Sequence, residues 1–481
     1  MLEDIIEERR KKLSRYREVS DPYPIQVKRT AQIGDVCARF SAFVRKKKKV
    51  WLAGRVVGMR DQGGIIFLDL EDASGKIQIL LKKGEAKEFA LLKETLDKGD
   101  FLEVAGGAMK TKRGEKSVVA RNARIITKSI RPLPDSWYGL EDIETRLRKR
   151  YLDAIMNHEV LELMKKKGVF WETVRNILKE EGFLEVETPV LEPVPGGAET
   201  EPFITHHNAL DRNFYLRISL ELPLKKMLVA GFEKVFEIGR IFRNEGIDRE
   251  HLQDYTQMEC YWAYADYNDM MRLMEKMFKS VIRRTCGSLV TTRNGKKINW
   301  GKKWKKVDYY EIFKKYNAID LQTVSRETLE AHARKLGISF ERNAGKGRIV
   351  DLIYKKTVRP HLEEPCFLVN PPVIIEPLAK RVPGKPDRVE RFQIVAAGTE
   401  LGKGFSELND PEDQRKRFEE QMALRAAGDK EAQMLDEDFL EALEYGMPPA
   451  AGFGVSERLF AIIMDKPVRE AVFFPLMKEE K

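Results

Sequence analysis

The chain has 481 residues, of which 42% are hydrophobic and 34% charged, with a formal net charge of +10. That size supports two or three domains, each with an ample core, and no apolar run is long enough to span a membrane. The four cysteines lie far apart with no CxxC pair, which argues against structural zinc or disulfides and fits a reducing cytosol. The opening MLEDIIEERRKK has no apolar segment of the secretory kind, so a cytoplasmic location is expected. The basic balance favours a polyanionic partner. Clusters at 45–49, 110–116, 146–150 and 302–306 read either as solvated faces or as parts of such a footprint.

Residues 1–20 form a charged helix that DPYP breaks, within a basic helical extension over 1–48. The 49–130 stretch shows five short strands between Gly, Asp and Lys turns, with a helical piece near 85–96, the pattern of a five-stranded OB β-barrel. In its GIIFLDLED and GKIQILLK strands the aliphatic residues alternate inward, so Phe67 and Gln78 point outward. An outward aromatic beside an amide suits base stacking and edge recognition, and it reads also as a lone surface aromatic. A linker over 131–150, containing RPLPDSWYG, leads to a large domain over 151–481. There a long amphipathic helix spans 155–181 and Gly182 caps it.

Residues 236–262 read as two strands joined by a polar loop. Alternation places Glu237, Arg243 and Glu245 on one face of the first strand, and Tyr255, Gln257, Glu259 and Tyr261 on one face of the second. Coinciding polar faces make a floor for a ligand with an anion, an aromatic base and an ammonium; otherwise this is a half-exposed hairpin. Residues 266–360 are largely helical around a TTRNGKKIN hairpin and form an insertion. The sheet resumes near Val369, followed by a helix over 411–428 and a final strand–turn–helix.

FRNE with its following strand resembles motif 2 of the class II aminoacyl-tRNA synthetases, and YTQMECYWAYADY is similar to the lysyl version. GFLEVETPVL (182–191) resembles motif 1, and AGFGVSERLFAIIMDKPVREAVFFP (451–475) resembles motif 3. Agreement runs in family order over nearly the whole chain, so it is identified as a member of the subclass IIb lysyl-tRNA synthetases, of a divergent bacterial type. The resemblance implies an α+β multidomain protein: an OB anticodon-binding domain and an antiparallel-sheet catalytic domain with a helical insertion. It implies a homodimer built through motif 1, acting on ATP, L-lysine and tRNA-Lys.

By the same resemblance, Arg243 bridges the α-phosphate and the amino-acid carboxylate, a bidentate task that suits arginine. Glu245 accepts from the adenine amino group, His251 contacts phosphate, Tyr255 stacks on the adenine, and Arg458 covers its other face and touches the γ-phosphate. Glu407 and Tyr261 take the ε-ammonium, Phe405 lines the aliphatic stem, and Glu221, Glu259 and Gly197 surround the α-amino end. Arg55, Phe67, Gln78 and Glu115 match the anticodon-reading positions. The resemblance also implies Mg²⁺, with Glu400, Glu407 and the residue at 393 as ligands. Here that residue is Gln393, a poorer partner for a hard cation. Strict alternation puts Glu400 and Glu407 on opposite faces unless Gly402 and Gly404 permit a bulge.

Lys403 replaces a family Asn near the substrate carboxylate, Glu201 replaces a usual Arg, SLEL replaces APEL, and the motif 3 turn is one residue short. Competing readings are an aspartyl or asparaginyl relative, which needs a cationic side-chain pocket, a protein-modifying lysyl ligase, which lacks an anticodon domain, and an RNA-binding protein with a decayed catalytic half.

Overall fold

The computed structural model describes residues 2–134, 142–246, 252–341, 344–428 and 432–479. The chain divides into two compact units, Met1–Glu141 and Asp142–Lys481. In the first, Lys49–Asp61, Ile65–Asp72, Gly75–Lys82, Phe101–Lys110 and Lys116–Thr127 close a barrel. Alternate residues such as Leu52, Leu68, Ile79, Val104 and Val118 are fully buried and fill it, as period-two patterning requires. The helix Leu2–Arg17 buries Ile6, Leu13 and Tyr16, and the Tyr16 hydroxyl accepts from the Ile125 amide.

The second unit is built on an eight-stranded, mainly antiparallel sheet. Lys234–Phe242, Asp254–Ala263, Ala450–Ser456, Thr399–Ser406 and Arg391–Ala396 are its contiguous centre. One face is sealed by His158–Glu180 and Tyr267–Cys286, whose Phe170, Val174, Met270, Met274 and Phe278 pack against Met258, Cys260, Phe453 and Val455. The other face is left for chemistry. His158–Glu180 ends as expected at Gly182, which takes φ +83.

Two expected boundaries fall differently. Residues 143–150, read as linker, lie in the helices Ile143–Arg148 and Arg150–Met156 of the second unit, while 135–141 are outside the described residues. The 266–360 stretch divides in two. Its first helix belongs to the main core, and Lys305–Asp308 joins the sheet as an edge strand. Tyr309, Phe313, Leu329, Ile349, Ile353 and Tyr354 form a separate cluster, so the distinct helical module begins near Tyr309.

Candidate active site

The sheet register gathers residues that are distant in sequence. Glu259 lies opposite Gly454, Gly454 opposite Lys403, and Lys403 opposite Gln393, one transverse row across four strands. Two residues along, the next row is Tyr261, Gly452, Phe405 and Arg391. The glycines hold the middle of the floor open. A Cβ on Gly452 would come within 2.2 Å of Glu407 Oε1 and 2.4 Å of Tyr261 Cε1. The anticipated bulge is present: Ile394 pairs with Gly402 but Val395 with Glu400, so Leu401 is the extra residue. It re-phases the strand and brings Glu400 to the floor's side.

A cleft of about 1190 Å³ stands on this floor. It is lined by the expected Gly197, Glu221, Arg243, Glu245, Tyr255, Glu259, Tyr261, Gln393, Glu400, Lys403, Phe405 and Arg458. Glu407, 1% exposed, sits beside it next to Gly452 and Tyr261. His251 lies outside the described residues. Gly197 has φ +84, and a Cβ there would stand 2.9 Å from the Cβ atoms of Ser219 and Glu221, so only glycine lets its loop approach so closely.

Arg243 follows the end of its strand. Its Nε and Nη2 both reach the Ile218 carbonyl at 3.4 Å, and its Cζ is 5.6 Å from the Tyr255 ring centre. Glu245 accepts from Thr200 Oγ1 at 3.1 Å, and the Asn244 amide donates to the Glu201 carbonyl at 2.8 Å, which ties motif 2 to the 196–201 loop. Glu237, expected on the floor, is instead buried in an ion pair with Arg217 at 2.7 Å and accepts from Thr188.

Glu259 is the most firmly held carboxylate. Its Oε1 accepts from Ser219 Oγ (2.7 Å), Gln257 Nε2 (2.6 Å) and the Leu220 amide (3.0 Å), and its Oε2 from the Tyr261 hydroxyl (2.9 Å). Burial and the surrounding Glu221, Glu259 and Glu407 push the Tyr261 hydroxyl well above its usual range, so it remains a phenol donor.

The sequence reading missed Lys225. Fully buried on the helix Glu221–Val229, it places Nζ 2.6 Å from Glu221 Oε1 and 2.5 Å from Glu407 Oε2. Burial disfavours the ammonium, but Glu221 and Glu407 outweigh it and raise its affinity for the proton. Burial pushes Glu221 up to about 7 and Glu407 well above the carboxylate range, while Lys225 opposes both shifts. Glu407 Oε1 is buried without a hydrogen-bond partner. Such an acceptor is costly unless a ligand cation completes it. The available signal was a lysine four residues after Glu221, on the same helix face as the buried Leu228.

The three expected metal ligands have different partners. Gln393 donates its amide to Glu400 Oε2 at 2.7 Å, and Glu407 is committed to Lys225. Among the described residues no group of three or more His, Cys, Asp or Glu could hold a metal ion. Glu400 lines the cleft and is the donor of the three best suited to a hard cation. Lys403 Nζ lies 3.1 Å from the buried Glu376, which Arg391 also pairs at 3.2 Å.

In the first unit, Phe67 is half-buried on the barrel's outer side opposite Arg60, whose Cζ lies 6.0 Å from its ring centre. Gln78, expected to point outward, is 9% exposed and accepts from Ser117 Oγ at 2.9 Å, because the parallel strand Lys116–Thr127 covers it. Arg55 donates to the Gly99 carbonyl and stacks on Phe101 at 4.2 Å. In register it opposes Glu71, four residues beyond Phe67. Glu115 is exposed in the turn before the last strand.

A motif 2 arginine beside an antiparallel floor, with a motif 3 arginine lining the same cleft, defines a class II adenylate-forming site. Residues 142–478 match the model of class II tRNA synthetases (D, K and N), and 50–126 match that of the OB-fold nucleic acid binding domain. The chain belongs to the class II tRNA synthetase family. Among curated relatives, a lysine–tRNA ligase of Roseiflexus castenholzii is 43% identical over 99% of both chains. One of Moorella thermoacetica is 44% identical over 99% of this chain and 98% of its own. Another, of Clostridium perfringens, is 41% identical over 98% and 96%.

Proposed function

We propose that this chain is a lysine–tRNA ligase: it activates L-lysine with ATP and transfers it to the 3′-terminal adenosine of tRNA-Lys. The single observation that carries the choice of amino acid is the unpartnered Glu407 Oε1, a buried acceptor next to Tyr261 and beside the cleft that Phe405 lines. An aspartyl or asparaginyl substrate needs a cation or amide there, and the cation that reaches Glu407, Lys225, is already shared between two carboxylates.

In the first step the lysine carboxylate attacks the α-phosphorus and diphosphate leaves. Arg243 offsets the repulsion of the two anions with its donors fixed beforehand. Glu245 and Tyr255 orient the adenine and Arg458 closes its other face. Glu221 and Glu259 receive the α-ammonium, and Glu407 with Tyr261 the ε-ammonium. Glu400 would hold a magnesium ion entering with ATP, and that ion would supply charge neutralisation to the phosphates. In the second step the 3′-hydroxyl attacks the acyl carbon and AMP leaves. Phe67, Arg55 and Glu115 read the anticodon.

A homodimer is proposed through motif 1, whose short strand Leu184–Glu185 ends the sheet and leaves Leu184, Val190 and Leu191 exposed. No described helix is long and apolar enough to cross a membrane, and a cytoplasmic site is proposed. The test is ATP–diphosphate exchange across the amino acids. Lysine alone is expected to support it; exchange with aspartate but not lysine refutes the assignment.

A further inference from the structure

Arg359 is a cation in the cleft that none of the roles above employs. It opens the short turn Arg359–His361, which follows the helix Lys346–Thr357 of the helical module. That turn is fixed against the hairpin bearing Gln393 and Glu400. The Ala397 and Gly398 amides donate to the carbonyls of Glu363 and Leu362 at 2.8 and 3.0 Å, and a Cβ on Gly398 would stand 3.2 Å from Pro360 Cα. Arg359 itself lines the cleft.

The other charges around it are accounted for: Arg391 and Lys403 pair with Glu376, Lys355 with Asp351, and Glu400 accepts from Gln393. The Arg359 guanidinium, by contrast, makes no hydrogen bond or ion pair among the described residues, and its Nε is buried without an acceptor. The Tyr354 hydroxyl, equally buried and unpartnered, lies within electrostatic reach of Arg359, Arg391 and Glu400.

A guanidinium left without an anion in a partly enclosed site is unfavourable until a ligand completes it. Its planar fork suits phosphate oxygens. The buried Nε favours a small anion with several oxygens over the backbone of a folded RNA. We infer that Arg359 binds the terminal phosphates of ATP and holds the departing diphosphate, so that the helical module contributes directly to the nucleotide site. The inference rests on the proposal that this cleft takes ATP, but not on which amino acid it activates.

The test uses the full chain with Arg359→Gln and Arg359→Lys. In exchange assays the Gln variant should raise KM for ATP and for diphosphate about tenfold or more, with KM for the amino acid within twofold of native. The Lys variant should fall between, and a cooperative thermal transition in both reports the fold. Calorimetric titration with ATP should show the same order. Unchanged KM values for both phosphate ligands overturn the inference, as does a defect confined to KM for tRNA, which would place Arg359 on the RNA. If the native chain activates an amino acid other than lysine, the two phosphate KM values still decide Arg359's role.

Discussion

At Gln393 a neutral amide faces Glu400, and its cross-strand neighbour is the ammonium of Lys403. A carboxylate at 393 would give a hard cation a second anionic ligand in place of an amide donor. Gln393→Glu should therefore lower the Mg²⁺ concentration for half-maximal exchange several-fold, measured at fixed ATP; an unchanged requirement would mean that this pair does not meet the metal. Arg243, Glu259 and Tyr261 were legible in the sequence because strand alternation and motif 2 both put them on one face. Lys225 and Arg359 were not. A lysine among leucines shows in sequence only its helix neighbour Glu221, and its second carboxylate, Glu407, arrives with the fold; nothing near Arg359 in sequence marks it as unpaired.

The helix Glu221–Val229 turns a charge problem into a pH dependence. Burial raises Glu221 to about 7 in the fold. Below that value the pocket carries a proton that an arriving ammonium must displace, and above it the carboxylate is ready. KM for lysine should thus fall as pH rises from about 6 through about 7, by up to tenfold per unit on the acid side. A flat profile would show that Glu221 does not titrate in the free site. On the barrel, Phe67 stacks against Arg60 on the outer side of Ile65–Asp72. Phe67→Ala should weaken tRNA-Lys by about 1–3 kcal/mol, read as KM for tRNA in charging, and leave lysine-dependent exchange untouched. A loss of exchange would move Phe67 from recognition to stability. The strands and their facing were readable from period-two patterning, whereas the cover over Gln78 was not, because the register of Gly75–Lys82 with Lys116–Thr127 is a long-range pairing.

Across the whole molecule, each unit has its own core, and the catalytic unit divides again into the main sheet with its two sealing helices and the module that begins near Tyr309. The order of motifs announced both units. The limits of the insertion escaped notice because Tyr267–Cys286 is helical like the module but buries Met270, Met274 and Phe278 in the main core. The proposed choice of lysine rests on the buried carboxylates of the catalytic unit. The direct measurement is kcat/KM for lysine in ATP–diphosphate exchange by the full chain and its Glu407→Gln variant, with KM for ATP as the internal control. A fall of about a hundredfold or more in the variant, with ATP binding preserved, is the expected result; lysine activation within a few-fold of native would contradict the account.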